Sequence, residues 1–210
     1  MARKAIWPSL TRNGNFEKVP AGTTATTGTN VWIDGTANGS ATNDQYSWGT
    51  NRGGTASALF DSAVKYSGSY SLKLSTLATG SFMQARQVLG TASHQKLRIN
   101  GRVVSPSTSY TLTGRIKTTV NSGAANSGAR FAVVQYNSAA TALTTNLSTA
   151  VTTTTDWTLY TLTFTTQATC NFVDIQCRNT GNDGTATLIM DAWFDEVEFK
   201  TTAEVTRTAV

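Results

Sequence analysis

The chain has 210 residues, of which 39% are hydrophobic and only 14% charged, with a formal net charge of +5; about 25% charged is ordinary for a soluble domain. Thr accounts for 39 residues, beside 17 Gly and 3 Pro, and β-branched Thr favours strands, so the composition argues for an all-β domain and excludes a helical bundle or a disordered chain. No apolar run reaches the ~18 residues that a membrane-spanning helix needs.

Residues 1–12 form a basic arm carrying Arg3, Lys4 and Arg12, with Ile6, Trp7 and Leu10 as its apolar anchors. Its apolar stretch is too short for a signal-peptide core. That predicts a chain made in the cytoplasm without a signal peptide, or a mature chain whose leader was removed and replaced by Met. Residues 20–58 are rich in Gly, Thr, Ala, Asn and Ser, with Trp32, Tyr46 and Trp48 among them. Such a long irregular stretch inside a compact domain is usually functional.

Strand signals recur from residue 62 onward. Val64 to Tyr66, the turn Ser67-Gly68-Ser69 and Tyr70 to Leu74 predict a hairpin. Phe82 to Leu89 and Leu97 to Val104 follow. Tyr110, Leu112, Gly114 and Ile116 alternate after the turn at 105–108. Arg130 to Tyr136 is an apolar strand, and the Thr-rich run at 141–155 is a strand edge or a loop. Tyr160, Leu162 and Phe164 share one side of the run from Trp157 to Thr166. In Asn171 to Arg178, Val173, Ile175 and Cys177 face one way; Phe172, Asp174, Gln176 and Arg178 face the other. Thr185 to Met190 and Trp193 to Phe199 are the last strands, and residues 201–210 are a polar tail. About ten short strands with turns between them predict a β-sandwich or barrel.

Residues 1–150 carry a net charge of +10 and residues 151–210 a net of −5. The cations are spread singly along strands, so a nucleic-acid partner is not expected. Cys170 and Cys177 are seven apart in one strand-like run, about 23 Å when extended and by odd spacing on opposite faces, which predicts two free thiols.

Five segments recur in a telling order: Asn13-Gly-Asn-Phe-Glu17, Tyr66-Ser-Gly-Ser-Tyr-Ser-Leu-Lys-Leu74, Val104-Ser-Pro-Ser-Thr-Ser-Tyr110, Asp156-Trp157 and Phe194-Asp-Glu-Val-Glu-Phe199. Together, over residues 12–200, they resemble the carbohydrate-binding modules of families 4, 9 and 22, domains also found in phage virion proteins. The resemblance implies a two-sheet jelly-roll β-sandwich over residues 13–200, with a short N-terminal arm (1–12) and a C-terminal tail (201–210). It also implies a structural calcium held by Glu17 and Asp195 with a carbonyl from the 66–70 turn. Calcium takes six to eight oxygens and pins distant segments together; the alternative is that both carboxylates cap turns. For carbohydrate the candidates are Trp32, Tyr46, Trp48, Arg115, Gln176 and Arg178, rings for sugar faces and polar groups for hydroxyls. On this reading Arg115 and Lys117 line one sheet surface with Gln176 and Arg178. The alternative is that Trp32 and Trp48 plug the sandwich ends and the polar set is merely exposed. Trp157 and Trp193 are expected to pack in the core.

Catalytic signals are few. His94 is the single histidine, and no Gly-x-Ser-x-Gly elbow, HExxH or Walker loop occurs. Asp191, Asp195, Glu196 and Glu198 are the one carboxylate concentration, read as a solvated strand edge. The expected protein is therefore no enzyme. It is a structural or adhesion component of a phage virion (capsid decoration, fibre or tail), touching other virion subunits through its termini and host glycan through its face. The alternative is a polysaccharide-binding module of a secreted degrading enzyme.

Overall fold

The structure, a computed structural model, describes residues 15–17, 24–25, 48–90, 104–123, 127–180 and 187–203. Trp32, Tyr46, His94, the arm at 1–12 and residues 204–210 lie outside them, as does most of the expected strand from Leu97 to Val104. Eleven strands run through the described residues: β1 (Thr24–Ala25), β2 (Gly49–Gly53), β3 (Ala56–Asp61), β4 (Ser71–Thr76), β5 (Phe82–Gly90), β6 (Ser109–Ser122), β7 (Arg130–Tyr136), β8 (Ala142–Leu147), β9 (Thr155–Thr165), β10 (Phe172–Asn179) and β11 (Ile189–Thr201).

They form two antiparallel sheets stacked as a β-sandwich. One has six strands in the order β1-β3-β4-β11-β6-β9, the other five in the order β2-β5-β10-β7-β8. Only the β3–β4 and β7–β8 steps stay within a sheet; every other connection crosses to the opposite layer. This is the jelly-roll arrangement expected from the motifs.

Alternation of side chains builds the core. In β6, Leu112 and Ile116 point inward and are fully buried, while Arg115 and Lys117 point out. From the other layer, Phe131, Val133, Val173, Ile175 and Cys177 meet them. Phe131 of β7 packs edge-on against Phe194 of β11 at 5.6 Å. Tyr110 stacks on Phe199 at 5.0 Å. Burying each such side chain contributes about 1.5–3 kcal/mol. Gly114 lets the layers approach: a Cβ there would lie 2.6 Å from Phe131 Cζ.

Several expectations change. Val64 to Tyr66 is not a strand, and β4 pairs instead with β3. The reason is local. Asp61 Oδ1 accepts from the Ala63 and Val64 amides at 2.8 and 3.2 Å and turns the chain. The irregular stretch to residue 58 ends in two strands, β2 and the first half of β3. The two expected final strands are one, β11, broken by irregularities at Ile189/Met190 and between Asp195 and Glu198. Phe194 and Val197 both join the core. Asp195 and Glu196 between them therefore face outward together as a bulge, with Glu196 at φ 50°. Both cysteines are free and buried in the same core. Cys170 precedes β10, so strand parity does not govern it.

Candidate functional site

Strand β10, like its neighbour β7, is buried on both sides. Its inner residues belong to the core. Its outer residues Phe172, Asp174 and Gln176 are 2–4% exposed yet lie outside that core cluster. Antiparallel pairing places β5 on one flank and β7 on the other. The outer face of the five-stranded sheet is thereby ordered in transverse rows. Phe172 faces Tyr136. Asp174 faces Val134. Gln176 lies between Arg86 and Ala132, and Arg178 between Gln84 and Arg130. From Phe172 to Arg178 the ladder spans about 20 Å.

A hydrogen-bonded chain runs along it. Arg178 Nε donates to Gln176 Oε1 at 2.7 Å, and Gln176 Nε2 donates to Asp174 Oδ2 at 2.7 Å. Arg86 Nη1 stands 3.7 Å from the same carboxylate oxygen. Burial outweighs these partners and pushes the Asp174 carboxyl up to about 6. At one end Tyr136 stacks on Phe172 at 4.9 Å and 7°. The floor is buried, while Arg86, Arg130, Arg178 and Tyr136 remain partly exposed. Three buried polar atoms of this face have no hydrogen-bond partner: Gln84 Nε2, Asp174 Oδ1 and Arg130 Nε. Such atoms are costly to leave unpaired.

Of the residues singled out for carbohydrate, only Gln176 and Arg178 belong to this ladder. Arg115 does not. It projects from β6 on the outer face of the six-stranded sheet, so the core separates it from them. The expectation that they line one surface fails because β6 and β10 belong to different layers. Trp48 is 1% exposed and packs on Phe16 at 5.5 Å. That matches the plug alternative and leaves no ring face for a sugar. Arg86, Gln84, Asp174, Arg130 and Tyr136 were not singled out. The signal was present in Arg130-x-Ala132-x-Val134-x-Tyr136, whose odd partners Phe131, Val133 and Gln135 are the inward set.

The opposite face carries a second polar and aromatic set. The Arg115 guanidinium lies 4.3 Å from the Tyr66 ring centroid, and Tyr66 meets Trp157 edge-on at 6.0 Å. Trp193 is on this outer side, not in the core. Lys73 covers its ring at 4.9 Å, and its Nε1 donates to Asp61 Oδ2 at 2.8 Å. Burial raises the Asp61 carboxyl, but the Trp193 bond, the two amides and Lys73 outweigh it, so it lies below the usual range.

Glu17 and Asp195 do converge on the 66–70 turn. Glu17 Oε1 accepts from the Ser69 and Tyr70 amides at 2.8 and 3.1 Å. Asp195 Oδ2 accepts from the Tyr66 and Ser67 amides at 3.0 and 3.2 Å, and Oδ1 from Glu196 at 2.8 Å. Gly68 suits this turn because its φ of +61° is left-handed, and a Cβ there would also displace the Glu17 carboxylate. Among the described residues no three His, Cys, Asp or Glu side chains gather in a metal-sized group. Three of the four carboxylate oxygens accept from N–H donors. That is a hydrogen-bonded clasp, and a calcium ion there would have to share these oxygens with the amide donors.

Among the described residues Asp174 is the single carboxylate on the outer face of the five-stranded sheet. Glycoside hydrolysis ordinarily needs two flanking the bond.

No protein-family model and no curated protein sequence matches the chain. Solved structures match it in fold. The arabinose-bound MgGH51 α-L-arabinofuranosidase superposes with a TM-score of 0.51 at 14% identity, over 94% of this chain and 27% of that one. The enzymatically active domain of tailspike protein 4 from bacteriophage CBA120 gives 0.48 at 14% identity, over 92% and 21%. The CBM22-1 xylan-binding domain of Paenibacillus barcinonensis Xyn10C gives 0.46 at 12% identity, over 72% and 85%. The chain thus spans about a fifth of the tailspike structure and about a quarter of the arabinofuranosidase. At these identities the likeness is one of fold, a β-sandwich with jelly-roll crossings.

Proposed function

We propose that this chain is a non-catalytic glycan-binding protein whose site is the outer face of the five-stranded sheet. The observation that carries the reading is the β5-β10-β7 ladder with its three unpartnered polar atoms. Sugar hydroxyls both donate and accept, so they suit the partly exposed Arg86, Arg130 and Arg178 side chains that rim this under-satisfied floor. Tyr136 offers a partly exposed ring for a sugar's C–H face. The single carboxylate of that face supports binding without turnover. The setting we assign is a phage particle, as a capsid-decoration, fibre or tail component, which the ordered sequence motifs support. The termini would then meet other virion subunits. A second reading is a module of a secreted polysaccharide-degrading enzyme, favoured by the fold likeness to one part of a larger arabinofuranosidase. Co-sedimentation with particles from a lysate supports the first and its absence the second.

Affinity electrophoresis of the whole chain through a panel of soluble polysaccharides, xylan included, tests the site. Retardation by at least one polymer is expected. Gln176→Ala should weaken it on the order of tenfold, since two charge-assisted bonds are lost. Arg115→Ala, across the sandwich, should leave it unchanged. Absence of any retardation, or equal losses in the two variants, would refute the assignment.

A further inference from the structure

The row at the far end of the ladder is dominated by donors: two guanidinium groups that cannot accept, and Gln84 with a single amide oxygen. Arg178 lies directly between Gln84 of β5 and Arg130 of β7 on one face. Like charges directly opposite one another across strands destabilise a sheet. Here two guanidinium groups are paired in that way. Burial draws the Arg178 guanidinium below its ordinary pKa; Asp174 pulls it up and the Arg130 charge adds to the lowering.

Asp174 offsets this charge in part, but no described carboxylate lies in the row itself. Among the described residues no ion pair involves Arg130 or Arg178. Asp174 is two rows away, about 13 Å along the strand. It already accepts from Gln176 and faces Arg86. Arg178 spends its Nε on Gln176 Oε1, leaving its two terminal nitrogens. Arg130 Nε and Gln84 Nε2 are buried without an acceptor. The row therefore needs acceptor oxygens that also bring negative charge. A neutral hydroxyl would satisfy one donor and leave both charges facing each other. A carboxylate presents two coplanar oxygens to the planar guanidinium forks and neutralises the repulsion.

We propose that the ligand of this face is an acidic glycan, and that Arg130, Arg178 and Gln84 hold the carboxylate of a uronate residue. This rests on the reading of the face as a glycan site and names the class of sugar. The Asp174 rows and Tyr136 contact the sugars that follow, so chain direction on the sheet is set by the acidic unit.

The test is titration calorimetry of the intact chain with oligogalacturonate, its methyl ester, xylan oligomers and dextran sulfate. The acid should bind on the order of tenfold or more tighter than the ester, and its affinity should fall as salt rises. Arg130→Gln and Arg178→Gln should each cost the acid on the order of tenfold and change ester or xylan binding little. Thermal midpoints of both variants should stay level or rise, because a repulsion is relieved; this separates lost recognition from lost folding. Equal affinity for acid and ester, or acid binding that survives both substitutions, overturns the inference. Binding to xylan oligomers without preference for the acid leaves the glycan reading standing and overturns this one. Tighter, Arg130-dependent binding to dextran sulfate assigns the row to sulfate esters and overturns the uronate. No binding to any of the four overturns both.

Discussion

At Asp174 two effects oppose each other. The Arg86 guanidinium and the Gln176 amide favour the carboxylate, while burial at 2% exposure favours the neutral acid and wins. The folded-state pKa of about 6 lies above the ordinary 3.8. Between those values the folded chain keeps a proton that the unfolded chain has released. Stability from this group is therefore full below about pH 4 and is lost as pH rises through 6. The loss is roughly 3 kcal/mol across that window. Asp174→Asn keeps an acceptor for Gln176 and removes the titration. Urea midpoints from pH 4 to 8 should accordingly slope less in Asp174→Asn, and the variant should be the more stable at pH 8. Asp195 is raised in the same direction, by burial first, so only the difference between the two proteins isolates Asp174. Identical slopes would remove Asp174 as a titrating group. The polar alternation around this residue was legible from Asn171 to Arg178. Its burial was not, because that depends on β5 and β7, which are distant in sequence.

Among the elements, the junction of the opening segment with β11 shows how little chain is needed to close the sandwich. One carboxylate from each side clasps a single turn, and five amide donors occupy three of their four oxygens. Hydrogen bonds to a charged acceptor are each worth about 1.5–3 kcal/mol, so Asp195→Ala should cost ~3 kcal/mol or more. Because amides already occupy these oxygens, neither EDTA nor added calcium should move the thermal midpoint by more than about 2 °C, a shift smaller than ~1 kcal/mol would produce in a chain of this length. A calcium-dependent rise would restore an ion to the junction. The meeting of Glu17, Asp195 and the 66–70 turn was readable from the ordered motifs. That the turn offers its N–H groups there is a matter of backbone direction that residue identity does not encode. The bulge at Asp195 and Glu196 escaped for a related reason: one extra residue shifts the alternation, and only pairing with β6 shows where.

For the whole molecule, the spacing between layers is set at a few contacts across the core. Gly114 of β6 sits against the Phe131 ring of β7, with no room for a methyl group. Gly114→Ala should push the sheets apart or force the ring off its rotamer, at about 1–3 kcal/mol. The thermal midpoint should fall by about 2–10 °C in a chain of this length. An unchanged midpoint would mean the layers adjust freely and would weaken the picture of a tightly registered sandwich. The same layering gives the protein two unrelated outer faces. Arg115 with Tyr66 and Trp157 lies on one, and the Arg86–Asp174–Gln176–Arg178 ladder on the other.

Composition and periodicity by themselves determined the class of fold, since Thr-rich alternating runs bury apolar stripes only by stacking sheets. They also determined which residues of β6, β9 and β10 face the core, because side-chain direction in a strand follows from a period of two. Which strands stand side by side was decided only in three dimensions. Nearly every connection crosses between layers, so sheet neighbours are far apart along the chain. That separation put Arg115 on the wrong side of the sandwich and drew Trp48 into its interior. It also joined Arg130, Arg178 and Gln84 into one row, a juxtaposition that exists only because β5, β10 and β7 pair in this register.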